Sequence, residues 1–254
     1  RVNTSIIYDH VKRTLILTSD KNLFTQDFND ILSDLDKSKF SHKNFSSKGS
    51  VKIFSKGTSI EHQTQVKSCI DYIYQGEIFQ ANLSRLWRFK VNEELTDIDI
   101  YRKLREKNPA PFAGIVRYKE SSIISSSPER LISISGDHLQ TRPIAGTRPR
   151  GTSGIVDVEL TRELINSDKE KAEHLMLVDL ERNDISKVCE PGSVKVDEMM
   201  SIETYAHVHH IVSNISGKKR KNINPGEIIK SVFPGGTITG CPKVRCMEIL
   251  AELE

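Results

Sequence analysis

Little in this sequence names a compartment or a polymer partner. Only four cysteines occur in 254 residues. Cys69, Cys189, Cys241 and Cys246 are scattered, with none of the paired spacing that a zinc site needs. Neither a structural zinc nor a disulfide framework is expected, and the four read as reduced thiols of a cytoplasmic protein. No apolar run approaches the roughly 20 residues of a membrane-spanning helix. No basic stretch followed by an apolar one opens the chain, so neither a membrane anchor nor a signal peptide is expected. Charge of one sign is also missing: 37 Lys and Arg against 34 Asp and Glu leave +3. That excess is too small to argue for a nucleic-acid surface. The one basic cluster, Lys218 to Lys221, stands beside Gly217 and reads as a turn.

What is present is an ordinary globular balance, 37% hydrophobic and 28% charged, enough for one large domain with a substantial core or two small ones. The expectation is a single domain over residues 1–254, cut short at both ends. Residues 1–60 would be N-terminal strands followed by an irregular loop. Ser5 to Ser19 reads as a strand pair, and residues 20–60 as polar and irregular, with His42 to Ser50 a loop. Glu61 to Gln75 carries Val66, Ile70, Ile73 and Tyr74 at helical spacing, with Ser59 as cap and Gly76 as stop. A strand through Trp87 and Phe89 follows, then a helix from Ile98 to Glu106. Phe112 to Arg148 is a run of short strands split by turns, Gly136-Asp137 among them. Glu159 to Asn166 is a short helix, and Gly192 to Val196 and Val208 to Ile215 are strands. Pro225 to Val232 is helical. The last helix, Val244 to Glu254, has Val244, Met247, Leu250 and Ala251 as its buried stripe.

The stretch Asp168 to Asp184, DKEKAEHLMLVDLERND, holds the densest chemistry. Ser167 or Asp168 caps a helix with an acidic first turn. Leu175, Val178 and Leu180 give its apolar stripe. Glu170 and Glu173 lie one turn apart on one face. Such a pair is either a solvated helix start or a seat for a hard divalent cation that removes the repulsion. Four further features stand out. Ser127-Pro128-Glu129-Arg130 places a charged pair between apolar strands. Thr141 to Arg150, TRPIAGTRPR, ends a strand in Gly-Thr flanked by Arg142, Arg148 and Arg150, which suits an anionic ligand if they are not plain surface residues. Strand alternation puts His207 and His209 on one face and His210 on the other. Phe233 to Lys243 is a Gly-rich turn entering a helix, an anion-binding geometry without the order of a phosphate loop. Together these read as a metal-assisted enzyme acting on a small anionic substrate.

EHLMLVDLERND, TRPIAGTRPRG, SPER, GEIFQANLSR, PGGTITGCPKVRCMEI and HVHHIVS, six motifs in order over Glu61 to Glu254, resemble the chorismate-binding enzyme family. Its members include component I of anthranilate synthase and of aminodeoxychorismate synthase, and the isochorismate and salicylate synthases. The resemblance implies an α+β fold, two large antiparallel sheets packed face to face with helices outside. It implies chorismate as substrate and one magnesium ion held by carboxylates. Glu173, with Glu170 beside it, and Glu254 on the second acidic helix would be the metal ligands. Glu129 would be the acid that protonates the departing ring hydroxyl, with a raised pKa. His210 would sit by the ring and Thr147 and Gly146 at its reacting edge. Thr237, Gly240 and Lys243 would face the substrate carboxylate.

Gln80 stands where isochorismate-forming relatives carry a Lys base, which points to ammonia as the nucleophile. Ala145 is typical of anthranilate synthases and cannot be a covalent nucleophile, unlike the Lys of many aminodeoxychorismate synthases. Asn108 to Phe112 and Pro234 to Gly240 look more like aminodeoxychorismate synthase. The expected reaction is therefore amination to 4-amino-4-deoxychorismate, on the route to p-aminobenzoate and folate. The alternative is anthranilate plus pyruvate, on the route to tryptophan. No Cys and His arrangement for glutamine hydrolysis is evident, so a glutamine amidotransferase subunit is the expected partner. The chain stops where the family continues into further substrate-contacting strands. An inactive fragment that binds a chorismate-like ligand is the alternative from another class.

Overall fold

The computed structural model describes residues 4–19, 26–38, 51–56, 58–92 and 95–254. The chain divides into two compact units, Arg1–Ser47 and Lys48–Glu254. In the first, β1 (Thr4–Asp9) and β2 (Thr14–Ser19) form an antiparallel hairpin, and α1 (Gln26–Ser38) follows. The strand pair agrees with the sequence reading. The helix does not, because residues 20–60 were read as irregular. The expected loop at His42 to Ser50 lies outside the described residues.

The second unit begins with β3 (Val51–Lys56), α2 (Ser59–Tyr74), β4 (Gln80–Ala81), β5 (Trp87–Val91) and α3 (Asp97–Lys107). Both helices start in a reciprocal cap. Thr58 accepts from the Glu61 amide while Glu61 reaches back to Thr58, and Thr96 with Asp99 does the same. The cap of α2 is thus Thr58, one residue before the Ser59 expected. Next come β6 (Phe112–Tyr118), β7 (Ser121–Ser127), β8 (Arg130–Ser135), β9 (His138–Arg142) and β10 (Ile144–Pro149). Then α4 (Gly154–Asn166), α5 (Asp168–Ser186), β11 (Lys195–Thr204), β12 (Val208–Lys218) and α6 (Pro225–Val232) lead to α7 (Gly236–Thr239), β13 (Gly240–Cys241) and α8 (Lys243–Leu253).

This is a mixed α+β fold in which every described strand pairing is antiparallel. The largest sheet has five strands in the order β10-β12-β9-β8, with β11 also on β12. The other described sheets are two-stranded. β12 is the centre, paired with β11 on one edge and with β10 and then β9 on the other. Pro143 separates those two strands; it has no N–H, but its carbonyl accepts from the Ser213 amide at 3.4 Å. β12 is buried at nine consecutive residues, His209 to Gly217, so both of its faces are covered. One core joins Leu139, Val178, Ile185, Val188, Cys189, Ile215, Ile228 and Val232 from β9, α5, β12, α6 and the loop after α5. A second joins Cys69 and Ile78 to Cys246 and Ile249 of α8. The expected stripe of α8 is therefore turned: Val244 is 71% exposed, and Cys246 and Ile249 face inward.

Candidate active site

The site grows from α5. Ser167 caps it, its hydroxyl accepting from the Glu170 amide at 3.3 Å. Its buried residues are His174, Leu177, Val178, Leu180, Glu181, Asp184 and Ile185. Positions 174, 177, 178, 181, 184 and 185 follow helical spacing, so the face turned toward the sheet is half apolar and half titratable. Leu175, expected in the stripe, is 55% exposed. The sheet must satisfy the polar half. His174 Nε2 meets Ser213 Oγ at 2.7 Å. Asp184 accepts from Lys187 at 2.9 Å and from Lys243.

Glu170 and Glu173 share a face but not a partner. Arg148 donates to Glu170 at 3.2 Å and to Glu163 at 2.8 Å. Beside Glu170, β10 bulges between Ile144 and Thr147, where Gly146 has φ +87. A Cβ there would lie 3.2 Å from Glu170 Oε2 and 3.1 Å from Leu164 Cδ1, so glycine is demanded by both conformation and space. Glu173 instead accepts from the Gln80 amide at 2.9 Å.

Glu254 does not join them. Its carboxylate accepts from the Ser84 amide and lines a separate cavity of about 400 Å³ with Glu61, His62 and Gln65. Glu173 and Glu254 have separate partners, the Gln80 side-chain amide and the Ser84 backbone amide, so their sharing of one ion stays a proposal. No cluster of three or more metal-donating side chains exists among the described residues. Glu173 could hold such an ion. It is a half-buried carboxylate whose hydrogen-bond partner here is a neutral amide, whereas Glu170 already has a cation. Magnesium takes one or two protein carboxylates and completes its shell with water and ligand oxygens, which matches a single-carboxylate seat.

Glu129 lies in the turn before β8. Its Oε1 accepts from Thr237 Oγ1 at 2.8 Å. Burial pushes its carboxyl above the ordinary value, opposed by the bonds from Thr237 and from the Ile144 amide. That is the direction an acid needs to keep its proton near neutral pH. A relay of contacts through α7 and β13 runs from Glu129 to Glu173: Thr237 touches Glu129, Cys241 pairs with Gln80, and Gln80 touches Glu173. Gly240, at φ +130, lets this turn press on β4, since a Cβ there would lie 2.1 Å from the Gln80 carbonyl oxygen. Its role in this structure is close backbone approach.

Thr147 and His210 face each other across β10 and β12, with Thr147 Oγ1 and His210 Nδ1 2.9 Å apart. Burial lowers the His210 pKa, which favours the neutral ring. The Tyr205 ring stands edge-on to it at 5.6 Å. His209, on the opposite side, bonds Thr204 and Asp157, and His207 is exposed outside the strand.

The basic side chains are placed otherwise than expected. Arg142 is held by Glu198 and Glu203, Arg148 by Glu163 and Glu170, and Arg150 by Asp157. Carboxylates of the chain itself thus occupy all three guanidiniums. Lys243 is engaged by Asp184 and by the Val232 carbonyl at 3.2 Å. It borders a cavity of about 710 Å³ between α5 and the entry to α8, lined also by Phe79, Met176, Leu180 and Asp184.

One residue of this cluster escaped the sequence reading. Glu181 is 7% exposed, and burial drives its carboxyl up to about 7, with the charges of Glu129 and Asp184 adding and Lys243 opposing. The Thr141 hydroxyl lies near enough to oppose the rise, yet is not aligned as a hydrogen bond. The signal was present in the spacing: Glu181 follows His174 and Leu177 by seven and four positions on the inward face.

Residues 1–254 match the family model described as chorismate binding enzyme. Over 194 residues the chain is 48% identical to an anthranilate synthase component I-like protein of Synechocystis, covering 76% of this chain and 40% of that protein. Over 189 residues it is 50% identical to aminodeoxychorismate synthase component 1 of Bacillus subtilis, covering 74% of this chain and 40% of that one. The chain thus spans less than half the length of these relatives. Its fold superposes on anthranilate synthase component I of Streptococcus pneumoniae with TM-score 0.81 and 30% identity, over 98% of this chain and 56% of that one. The six sequence motifs, the antiparallel α+β fold and these likenesses agree: the chain belongs to the chorismate-binding enzyme family.

Proposed function

We propose that this chain is the chorismate-handling part of a cytoplasmic enzyme that aminates chorismate with ammonia, in the presence of magnesium, to 4-amino-4-deoxychorismate. The observation that carries the reading is Glu129, a half-buried acid with raised proton affinity bonded to Thr237. It would deliver its proton to the departing ring hydroxyl, so the leaving group departs as water. Gln80 supports ammonia over water as nucleophile, because an amide already donating to Glu173 cannot take a proton from water. Ala145 is 6% exposed and carries no nucleophile, so no covalent intermediate forms at that position. Thr147 and neutral His210 would line the ring. Magnesium held by Glu173 would supply positive charge to a carboxylated ligand.

Ammonia would come from a glutamine amidotransferase subunit. Cys69, Cys189 and Cys246 are buried free thiols, and burial pushes Cys246 up to about 11. Thiols of that kind do not form the thiolate that glutamine hydrolysis requires. The second reading, anthranilate formation, is favoured by Ala145 and by the names of several relatives. The test is the full gene product with chorismate, ammonia and magnesium, its product identified by mass and fluorescence. A product that retains the enolpyruvyl group is expected. Anthranilate alone would overturn the choice between the two.

A further inference from the structure

Arg142, expected at a ligand, is held by carboxylates of the chain itself, and what that grip reaches is His210. Arg142 Nε and Nη2 both donate to Glu203 Oε1, at 2.9 and 2.6 Å, and Nη1 donates to Glu198 Oε2 at 2.7 Å. The other oxygen of Glu203 accepts from the Tyr205 hydroxyl. Each Glu203 oxygen thus has its own donor, and the carboxylate cannot swing without breaking a charge-assisted bond. Glu203 is the register partner of His210 across β11 and β12, and the Tyr205 amide closes the turn between them on the Val208 carbonyl at 2.8 Å. The turn brings the Tyr205 ring to 5.6 Å from the His210 ring, at an interplanar angle of 60°, an edge-on arrangement that such rings favour. From β10, Thr147 Oγ1 meets His210 Nδ1 at 2.9 Å. Tyr205 and His210 also border one cavity of about 160 Å³ with Pro111, Pro128 and His207.

We propose that Tyr205 is a positioning residue: tethered through Glu203 to Arg142, its ring holds the His210 imidazole at the angle where Nδ1 meets Thr147. The inference rests on the place given to His210 beside the substrate ring, yet the tether can be read without turnover. With Nδ1 accepting from the Thr147 hydroxyl, the proton of the neutral ring sits on Nε2. Burial keeps the ring neutral; the Gly146 backbone and the charge of Glu203 oppose it, and His209 adds to it. Tyr205 and His207 are the other titratable groups around its cavity.

Nitrogen and proton magnetic resonance of the imidazoles reads tautomer and titration together, with the His210→Gln spectrum identifying the His210 signals. In the unaltered protein His210 is expected as a single Nε2-protonated ring that titrates below the ordinary value. Tyr205→Leu removes ring and tether and lets water reach the imidazole. Both tautomers should then appear, and the midpoint should rise by about half a unit or more. Tyr205→Phe keeps the ring and cuts the tether, and should show the same changes to a smaller extent. It alters one hydroxyl only, so a misfolded Tyr205→Leu would not leave the question open. An unchanged His210 signal in either folded variant would overturn the proposal. In turnover, Tyr205→Leu should move the acidic limb of the kcat/KM profile to higher pH by a similar amount, because the neutral ring is the working form. A uniform loss of rate with that limb unmoved would overturn the proposal in favour of a structural role. Shifted His210 signals in the variants, with no chorismate turnover by the unaltered full protein, would leave the positioning standing and sink the functional reading instead.

Discussion

At the scale of single residues, buried acids dominate the behaviour of this molecule. Glu181 has its pKa raised from an ordinary 4.5 to about 7, so the folded chain binds a proton there that the unfolded chain has already released. Stability from this group is complete below the unfolded value and falls as pH rises between the two. One pKa unit is about 1.36 kcal/mol, so the fall amounts to up to about 3 kcal/mol. Glu181→Gln keeps the shape and removes the titration. Denaturant midpoints of the two proteins should coincide near pH 4. By pH 8 the variant should be the more stable by roughly that amount. Equal stability at both pH values would contradict the burial of Glu181. Asp157 behaves oppositely: Arg150 and the Gly151 amide hold it well below the usual carboxylate range.

Among the elements, the turn from α7 into β13 positions the most chemistry with the fewest residues. Gly240→Ala would put a methyl group 2.1 Å from the Gln80 oxygen at a φ of +130, which forces β13 from β4. A loss of about 2 kcal/mol or more is expected in denaturant unfolding, and, if the proposed magnesium seat at Glu173 holds, a higher magnesium concentration for half-maximal turnover, because Gln80 would no longer orient Glu173. A neutral outcome on both counts would show that the turn is not held this way. The same scale shows what the sequence could reveal. α2, α3, α5, α6 and α8 carry caps or stops and helical spacing, and their ends were readable to within about two residues. α1 was overlooked because a polar neighbourhood masked Phe28, Ile31, Leu32 and Leu35, which themselves recur at helical spacing. Which stripe turns inward was less legible. Ile70, Ile73 and Tyr74 of α2 are exposed while Cys69 is buried, because apolar residues ring the helix and only the neighbouring elements choose among them. Pairwise spacing placed Glu170 and Glu173 on one face correctly. It could not tell that Glu254 would accept from the Ser84 amide while Glu173 accepts from Gln80.

On the scale of the whole molecule, no described helix is long and apolar enough to cross a membrane, and the four thiols are free, three of them buried. A thiol reagent applied to the native protein should therefore label Cys241 alone, with the other three reacting only after unfolding. Fast labelling of Cys69, Cys189 or Cys246 would contradict the packing of the two cores. Blocking Cys241 should also leave ammonia-dependent turnover standing, since no covalent chemistry is assigned to it. On the proposed function, glutamine-dependent turnover should appear only when a glutamine amidotransferase subunit is added, and glutamine use without one would refute the division of labour. The account as a whole depends on Glu129 as the acid that releases the ring hydroxyl. Its most direct test compares turnover and chorismate affinity for the full protein and Glu129→Gln. A fall in kcat of about 10²- to 10⁴-fold with a Kd unchanged within a few fold is the expected result. A Glu129→Gln enzyme that turns over at nearly the original rate would contradict it.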